Sequence, residues 1–271
     1  MNPIITASLT GPAATKKDNP AIPGSPEEIA QSARAAYEAG AAVIHIHLRD
    51  DDQFTTDLRI ARRTVDAVRD VCPGIVQLST GGDFAYEDRM GIVEARPAMA
   101  TLNPGTMTIG DHEFRNPPLQ MYKLAERMLE LGIKAEVEIY DTGHLGLTLD
   151  LLKKGLLTEP LQVSFVMGVK GGMPADPRLL GYLVNELPAG TSWQVIAIGK
   201  ANLPLTTIGL AMGGNARTGL EDTLMIRPRV PADSNAQLVQ ALVDVARSQH
   251  LEPATVDEVI DRLELNRDLI G

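Results

Sequence analysis

Cysteine is almost absent from this 271-residue chain. Its one copy, Cys72, rules out an internal disulfide and fits a reducing cytoplasm. Positive charge is also scarce. Lys and Arg number 25 against 35 Asp and Glu, so the formal net charge is -10. An acidic chain argues against nucleic acid as a partner, because phosphate binding needs a basic face. No apolar run is long enough to cross a membrane. The opening "MNPIITASLT" lacks the charged start and apolar core of a signal peptide, which again points to the cytoplasm. Low-complexity tracts, internal repeats, and Walker or dinucleotide motifs are missing too.

What is present is an alternation. Short apolar runs predict strands over residues 3–8, 42–48, 75–79, 98–103, 134–141, 161–168, 192–199 and 215–219. Helical patterns lie between them. Ser25, Pro26, Glu27 and Glu28 read as an N-cap, a proline at the first helical position and two acids in the first turn. The stripe that follows stops at Gly40, and "LRIARRTVDAVRDV", "LQMYKLAERMLELG" and "SNAQLVQALVDVARSQ" repeat the pattern. Eight strands with helices between them predict one closed parallel (β/α)8 TIM barrel over 1–271. "PATVDEVIDRLELN" is then an extra C-terminal helix, packed outside or against a neighbouring subunit. The eighth strand is short and 84–96 carries little pattern, so an open doubly wound sheet is the competing architecture.

The chemistry of such a barrel belongs at the C-terminal ends of its strands. Polar residues gather at those ends: His45, His47, Arg49 and Asp50; Ser79 to Gly82; Thr101 and Asn103; Glu136, Glu138 and Asp141; Arg217 to Asp222. His45 and His47 stand one residue apart, so both face the barrel interior while Ile44, Ile46 and Leu48 face the helices. Two imidazoles on one face suit zinc, and equally suit two interior histidines hydrogen-bonded to neighbours. A third ligand would come from His144, placed at a strand end, or from Glu221; "LED" by itself also reads as an acidic helix start. His112 is assigned to a loop and His250 to a solvated helix end. "STGG" can free backbone N–H groups for an oxygen-rich ligand. "GVKGG" can hold a phosphate or carboxylate, with Lys170 as counter-charge. The loop "DNPAIPGSP" is either a lid or a rigid connection.

Taken together, "TGPAATKKDNPAIPGSPEEIA", "AGAAVIHIHLRDDD", "STGG", "MATLNPGT", "EVEIYDTG", "GVKGGMP" and "GGNARTGLED" resemble, in order and spacing, the β-keto acid cleavage enzymes. The likeness covers nearly the whole chain. It implies a zinc-dependent (β/α)8 barrel that reacts a β-keto acid with acetyl-CoA to give acetoacetate and a new acyl-CoA. It implies His45, His47 and Glu221 as Zn2+ ligands and Arg217 with Asp222 as the catalytic pair. Glu138 matches an acidic residue of the site, and Ser79, Gly82 and Thr101 match positions that hold the keto acid. Asn103, at a strand end, and Lys170, near a coenzyme site, complete the candidates. The family tends to form homotetramers.

Where the aminohexanoate-cleaving member carries a glutamate that pairs with the substrate ammonium, this chain has Ala13. That favours a keto acid with an uncharged tail, although Asp83 would still be able to face a cation. Two other functions share the pattern. An amidohydrolase-type zinc hydrolase uses His-x-His on a barrel strand but needs more histidines later. A binding barrel without chemistry would not need Arg217, Glu221 and Asp222.

Overall fold

The computed structural model describes residues 1–82 and 84–270. Eight parallel strands close on themselves: β1 (Ile5–Ser8), β2 (Val43–Ile46), β3 (Ile75–Leu78), β4 (Met99–Leu102), β5 (Lys134–Ile139), β6 (Gln162–Met167), β7 (Ser192–Ala197) and β8 (Asn215–Thr218). Their cyclic order is β1-β8-β7-β6-β5-β4-β3-β2. The short β8 pairs on both sides. Ile5, Thr6 and Ala7 of β1 lie in register with Ala216, Arg217 and Thr218, which closes the barrel and excludes the open sheet.

Each strand is followed by a helix: α1 (Pro26–Glu38), α2 (Leu58–Val71), α3 (Tyr86–Val93), α4 (Pro118–Glu130), α5 (Thr142–Lys153), α6 (Pro177–Asn185), α7 (Asn202–Ala211) and α8 (Asn235–Ser248). The weakly patterned stretch thus contains α3. Ser25 caps α1 by accepting the Glu28 N–H, with Pro26 at the first helical position. A ninth helix, α9 (Val256–Leu263), begins with a capping box of Thr255 and Glu258. It lies where β1 starts: the Ala254 N–H bonds the Pro3 carbonyl, and Arg262 donates to the Asn2 carbonyl.

The period of two along the strands separates two interiors. Outward residues Ile44, Ile46 and Leu48 pack with Ala33 and Ala36 of α1 and Val65 and Val68 of α2. Each such aliphatic side chain contributes about 1.5–3 kcal/mol by leaving water. Inward residues differ from the aliphatic layers usual in these barrels. Gln77, Glu136, Gln162, Ser164 and Gln194 are all buried.

Three short hairpins rise from the opposite, C-terminal end. Arg49–Asp50 pairs with Gln53–Phe54 after β2, Met107–Ile109 with His112–Phe114 after β4, and Met225–Arg227 with Val230–Pro231 after β8. His112 therefore begins a hairpin strand instead of lying in an irregular loop. The predicted strand over 42–48 ends at Ile46 because the chain turns there into the first hairpin.

Lys134, the first residue of β5, is buried and donates to the Thr158 hydroxyl at 3.1 Å. Desolvation pulls its ammonium down to about 8, from about 10.4 in an unfolded chain. Between those values the unfolded chain binds more protons, so the burial penalty present at neutral pH is relieved as pH rises. Chemical denaturation of the wild type and Lys134→Met should show the wild type gaining about 2 kcal/mol on the variant between about pH 7 and about pH 10. A gap independent of pH would mean that the ammonium stays hydrated.

Candidate active site

Strand register assembles the site. Ser8 of β1 lies beside His45 of β2, His45 beside Gln77 of β3, and Thr6 beside Arg217 of β8. The turn after β8 then returns Glu221 to the histidines. His45 Nε2 is 3.2 Å from Glu221 Oε2, and His47 Nε2 is 3.4 Å from Glu221 Oε1. Gly11 permits this approach, since a Cβ there would stand 2.7 Å from Glu221 Cγ. Arg49, wholly buried, donates to the carbonyls of Gly11 and Ala14 and fixes that loop.

One donor atom from each of His45, His47 and Glu221 lies within 4.8 Å of the others. His45 Nε2 and Glu221 Oε2 are buried atoms without a hydrogen-bond partner. Two imidazole nitrogens and one carboxylate oxygen, with a cavity on the open side, fit a divalent cation such as zinc. The setting agrees, since three carboxyl groups, Glu138, Glu221 and Asp222, surround one guanidinium, Arg217.

Arg217 holds the group together. Its Nε and Nη2 grip Asp222 at 3.0 and 2.7 Å, Nη2 also reaches Glu221 at 2.8 Å, and Nη1 faces Glu138 at 3.4 Å. Burial alone would lower its pKa, but Asp222 and Glu221 raise it well above the usual range. Burial would likewise raise Glu221, yet Arg217 and the two histidines hold that carboxyl well below its ordinary value. At Glu138 burial wins and the pKa rises. Glu138 accepts from Asn103 Nδ2 at 2.8 Å and from the Tyr140 hydroxyl at 3.2 Å.

Four of these residues, His47, Glu138, Tyr140 and Glu221, border a cavity of about 440 Å³. Ser79 lines it too, as do Pro12 and Ala13 of the loop after β1 and Ile109, His112, Glu113 and Phe114 of the hairpin after β4. Gly81 and Gly82 line it as well. The N–H groups of Thr80 and Gly81 are already taken up by Thr101 Oγ1 and Ser79 Oγ. Thr101 thus holds the loop from beneath. Asp83 lies outside the described residues.

Other candidates are not brought in. Lys170 is exposed and paired at 2.8 Å with exposed Asp111. Gly171 beside it serves packing, because a Cβ there would stand 2.2 Å from the Thr108 carbonyl oxygen. His144 sits in the first turn of α5, where its Nδ1 accepts the Tyr140 N–H. His112 lines the cavity but is not grouped with the two histidines and Glu221, so among the described residues the further histidine ligands of an amidohydrolase-type site are missing. His250 is exposed just after α8.

Three contributors escape inspection of the sequence. Ser8 Oγ donates to Asp222 Oδ2 at 2.7 Å. Arg89 of α3 ties the Gly82 carbonyl to the Arg115 carbonyl and lies over the rings of Phe84 and Phe114. Gln77 meets His45 Nδ1 with its Oε1 at 2.7 Å and donates from Nε2 to Glu136 at 2.9 Å. Glu136 also accepts from Ser164 and Gln194. A carboxylate only accepts, so the Gln77 amide has one orientation and His45 Nδ1 must be the protonated nitrogen. The lone pair of Nε2 is then aimed at Glu221. Polar residues at period two in β3, β6 and β7 were the available signal for this network.

The model of the family described as beta-keto acid cleavage enzyme matches residues 3–265. Over 269 residues the chain is 37% identical to a 3-keto-5-aminohexanoate cleavage enzyme of Acetoanaerobium sticklandii, covering 97% of this chain and 98% of that one. It is 35% identical over 260 residues to a 3-oxoadipate:acetyl-CoA acetyltransferase of Cupriavidus necator, covering 93% and 91%. The apo structure of ObcA superimposes with a TM-score of 0.78 at 20% identity, over 91% of this chain and 66% of that one. That last likeness shows the shared barrel.

The histidine geometry carries its own test. Nitrogen NMR of histidine-labelled protein at alkaline pH, where the rings are neutral, should show His45 protonated at Nδ1 only. In Gln77→Leu the two tautomers should mix. An Nε2-protonated ring in the wild type would contradict the relay.

Proposed function

The chain belongs to the β-keto acid cleavage enzyme family, and we propose that it exchanges acyl groups between acetyl-CoA and a β-keto acid, releasing acetoacetate and a new acyl-CoA. The observation that carries this reading is the meeting of His45, His47 and Glu221 at the C-terminal end of the barrel, with His47 and Glu221 lining the cavity and Arg217 and Asp222 bonded to each other beside them. In this reading His45, His47 and Glu221 hold a zinc ion, which as a Lewis acid would stabilise negative charge on the keto oxygen.

The remaining work falls to the chain. Asp222 takes a proton from the carbon between the keto group and the carboxylate. That carbon attacks the acetyl carbonyl of acetyl-CoA, and the CoA thiolate leaves. The thiolate then attacks the original keto carbon, and the bond between that carbon and the proton-donating carbon breaks. The new thioester departs, and the acetoacetate carbanion recovers the proton from Asp222. An aspartate gripped by arginine in water is a weak base. Here Ser8 and Arg217 fix its orientation, and its side chain is already shut away from water. Glu138, pushed up by burial, stands ready to hold or release a proton beside Arg217. We assign the substrate carboxylate to Ser79 and the backbone of Gly82, with Thr101 supporting them and Asn103 orienting Glu138.

Ala13, Ile109 and Phe114 line the cavity, which supports a keto acid with an uncharged tail, while Glu113 beside Phe114 is the acid a cationic tail would meet. We read the whole chain as one barrel domain working in the cytoplasm as a homotetramer, with no nucleic acid or membrane partner. Supporting this are the single buried thiol, the charge of -10, and the fact that no described helix is long and apolar enough to cross a membrane.

Incubation of zinc-loaded protein with acetyl-CoA and β-keto acids of neutral, cationic and anionic tails tests the reaction by mass spectrometry. A new acyl-CoA together with acetoacetate is expected, first among neutral tails. No new thioester from any tail would sink the reading. Separately, His47→Ala and Glu221→Ala should each lower zinc affinity by about tenfold or more in a chelator competition; full retention would remove these residues from the metal site.

A further inference from the structure

We propose that a second hollow, between the loop after β7 and the hairpin after β8, binds the phosphorylated adenosine end of coenzyme A. This rests on the acetyl-CoA-dependent reading above. The hollow measures about 610 Å³ and is lined by Lys200, Arg227 and Arg229 together with Leu203, Leu224 and Met225.

Many arginines of the chain are paired with acids, Arg127 with Glu94, Arg178 with Asp176 and Arg247 with Glu252 among them, while others such as Arg69, Arg89 and Arg262 bond to carbonyls. Among the described residues Lys200, Arg227 and Arg229 make no ion pair, although acids outnumber bases overall. Three uncompensated positive charges on one rim attract a polyanion, and guanidinium groups match phosphate oxygens two at a time. Arg229 also has a φ of 65°, directly after Pro228 in the two-residue turn of the hairpin. A side chain disfavours that conformation, which glycine or asparagine would take more easily.

The rest of the lining suits a nucleobase. Leu203 and Met225 are 37% and 45% exposed, two large apolar side chains open to water on the same hollow. Apolar walls with a few convergent charges are the usual make-up of a nucleotide site. Barrels commonly bind phosphate at the loops after strands seven and eight, and those loops form this hollow.

Position links it to the chemistry. Thr218 and Thr223 line the hollow, while Glu221, between them in sequence, lines the catalytic cavity. The Gly199 N–H, on the hollow's edge, donates to the Asp222 carbonyl at 2.7 Å. A coenzyme with its phosphates on Arg227 and Arg229 would send its pantetheine arm over the 219–222 turn and its thioester toward Arg217 and Asp222. Lys170, which stands apart with Asp111, is not needed.

The test uses the double variant Arg227→Glu/Arg229→Glu on the exposed hairpin. Rates are measured with acetyl-CoA and with acetyl-pantetheine, which lacks the nucleotide. The ratio of kcat/KM for acetyl-CoA over acetyl-pantetheine should fall by about tenfold or more, mostly through the KM for acetyl-CoA. Calorimetry with adenosine 3′,5′-bisphosphate should show binding to the wild type that the variant loses. An unchanged ratio with unchanged nucleotide binding overturns the proposal, and so does an unchanged ratio accompanied by a change in subunit number, which would make this face an interface. If the wild type produces no acyl-CoA from any keto acid, the reaction proposed above fails. Calorimetry then still decides the hollow: nucleotide binding lost in the variant supports it, and no binding to the wild type overturns it.

Discussion

One buried guanidinium organises this protein's working end. Arg217 sits on the interior face of β8, nearly free of water, and contacts Asp222, Glu221 and Glu138. Removing a charge from water costs several kcal/mol, recovered only where partners are close and well oriented. Three carboxylates more than compensate it, and their surplus negative charge faces His45 and His47. The same arginine therefore stabilises a turn, fixes Asp222 and sets the charge around the two histidines. Its place depends on the pairing of β8 with β1, so barrel closure and site assembly are one event.

The barrel interior extends this logic downward. Where many barrels stack aliphatic side chains, this one buries Gln77, Glu136, Ser164 and Gln194 in a connected set of hydrogen bonds. Such a set is safe only when fully satisfied, because an orphaned buried polar group costs about 1–3 kcal/mol. In return it dictates the proton position on His45. Stability is supplied elsewhere, by the outward aliphatic faces of the strands against the helices.

The loops divide the labour around this rigid interior. The loop after β1, pinned by Arg49, places Ala13 on the cavity wall. The hairpin after β4 supplies Ile109 and Phe114, and Arg89 locks it to the Ser79–Gly82 loop. The hairpin after β8 carries the unpaired arginines.

What the sequence determined by itself was periodic. Short apolar runs located all eight strands and the end of the barrel where polar residues gather, and stripes of period 3.6 located α1, α2, α4, α8 and α9, while the stretch that holds α3 carried little pattern. His45 and His47 could be placed on one interior face because alternation is a local property of a strand. What only the tertiary structure decided was which distant groups meet. Glu221 is more than 170 residues from His47, and "LED" reads equally well as a helix start until the closing strand pair swings it onto the histidines. Lys170 looked like a counter-charge among glycines, yet those glycines pack against a hairpin and leave the lysine with Asp111. Ser8, Gln77 and Arg89 are ordinary residues in sequence, and strand register gives each its partner. Periodicity is written along the chain; register, closure and charge neighbourhood exist only once strands separated by scores of residues lie side by side.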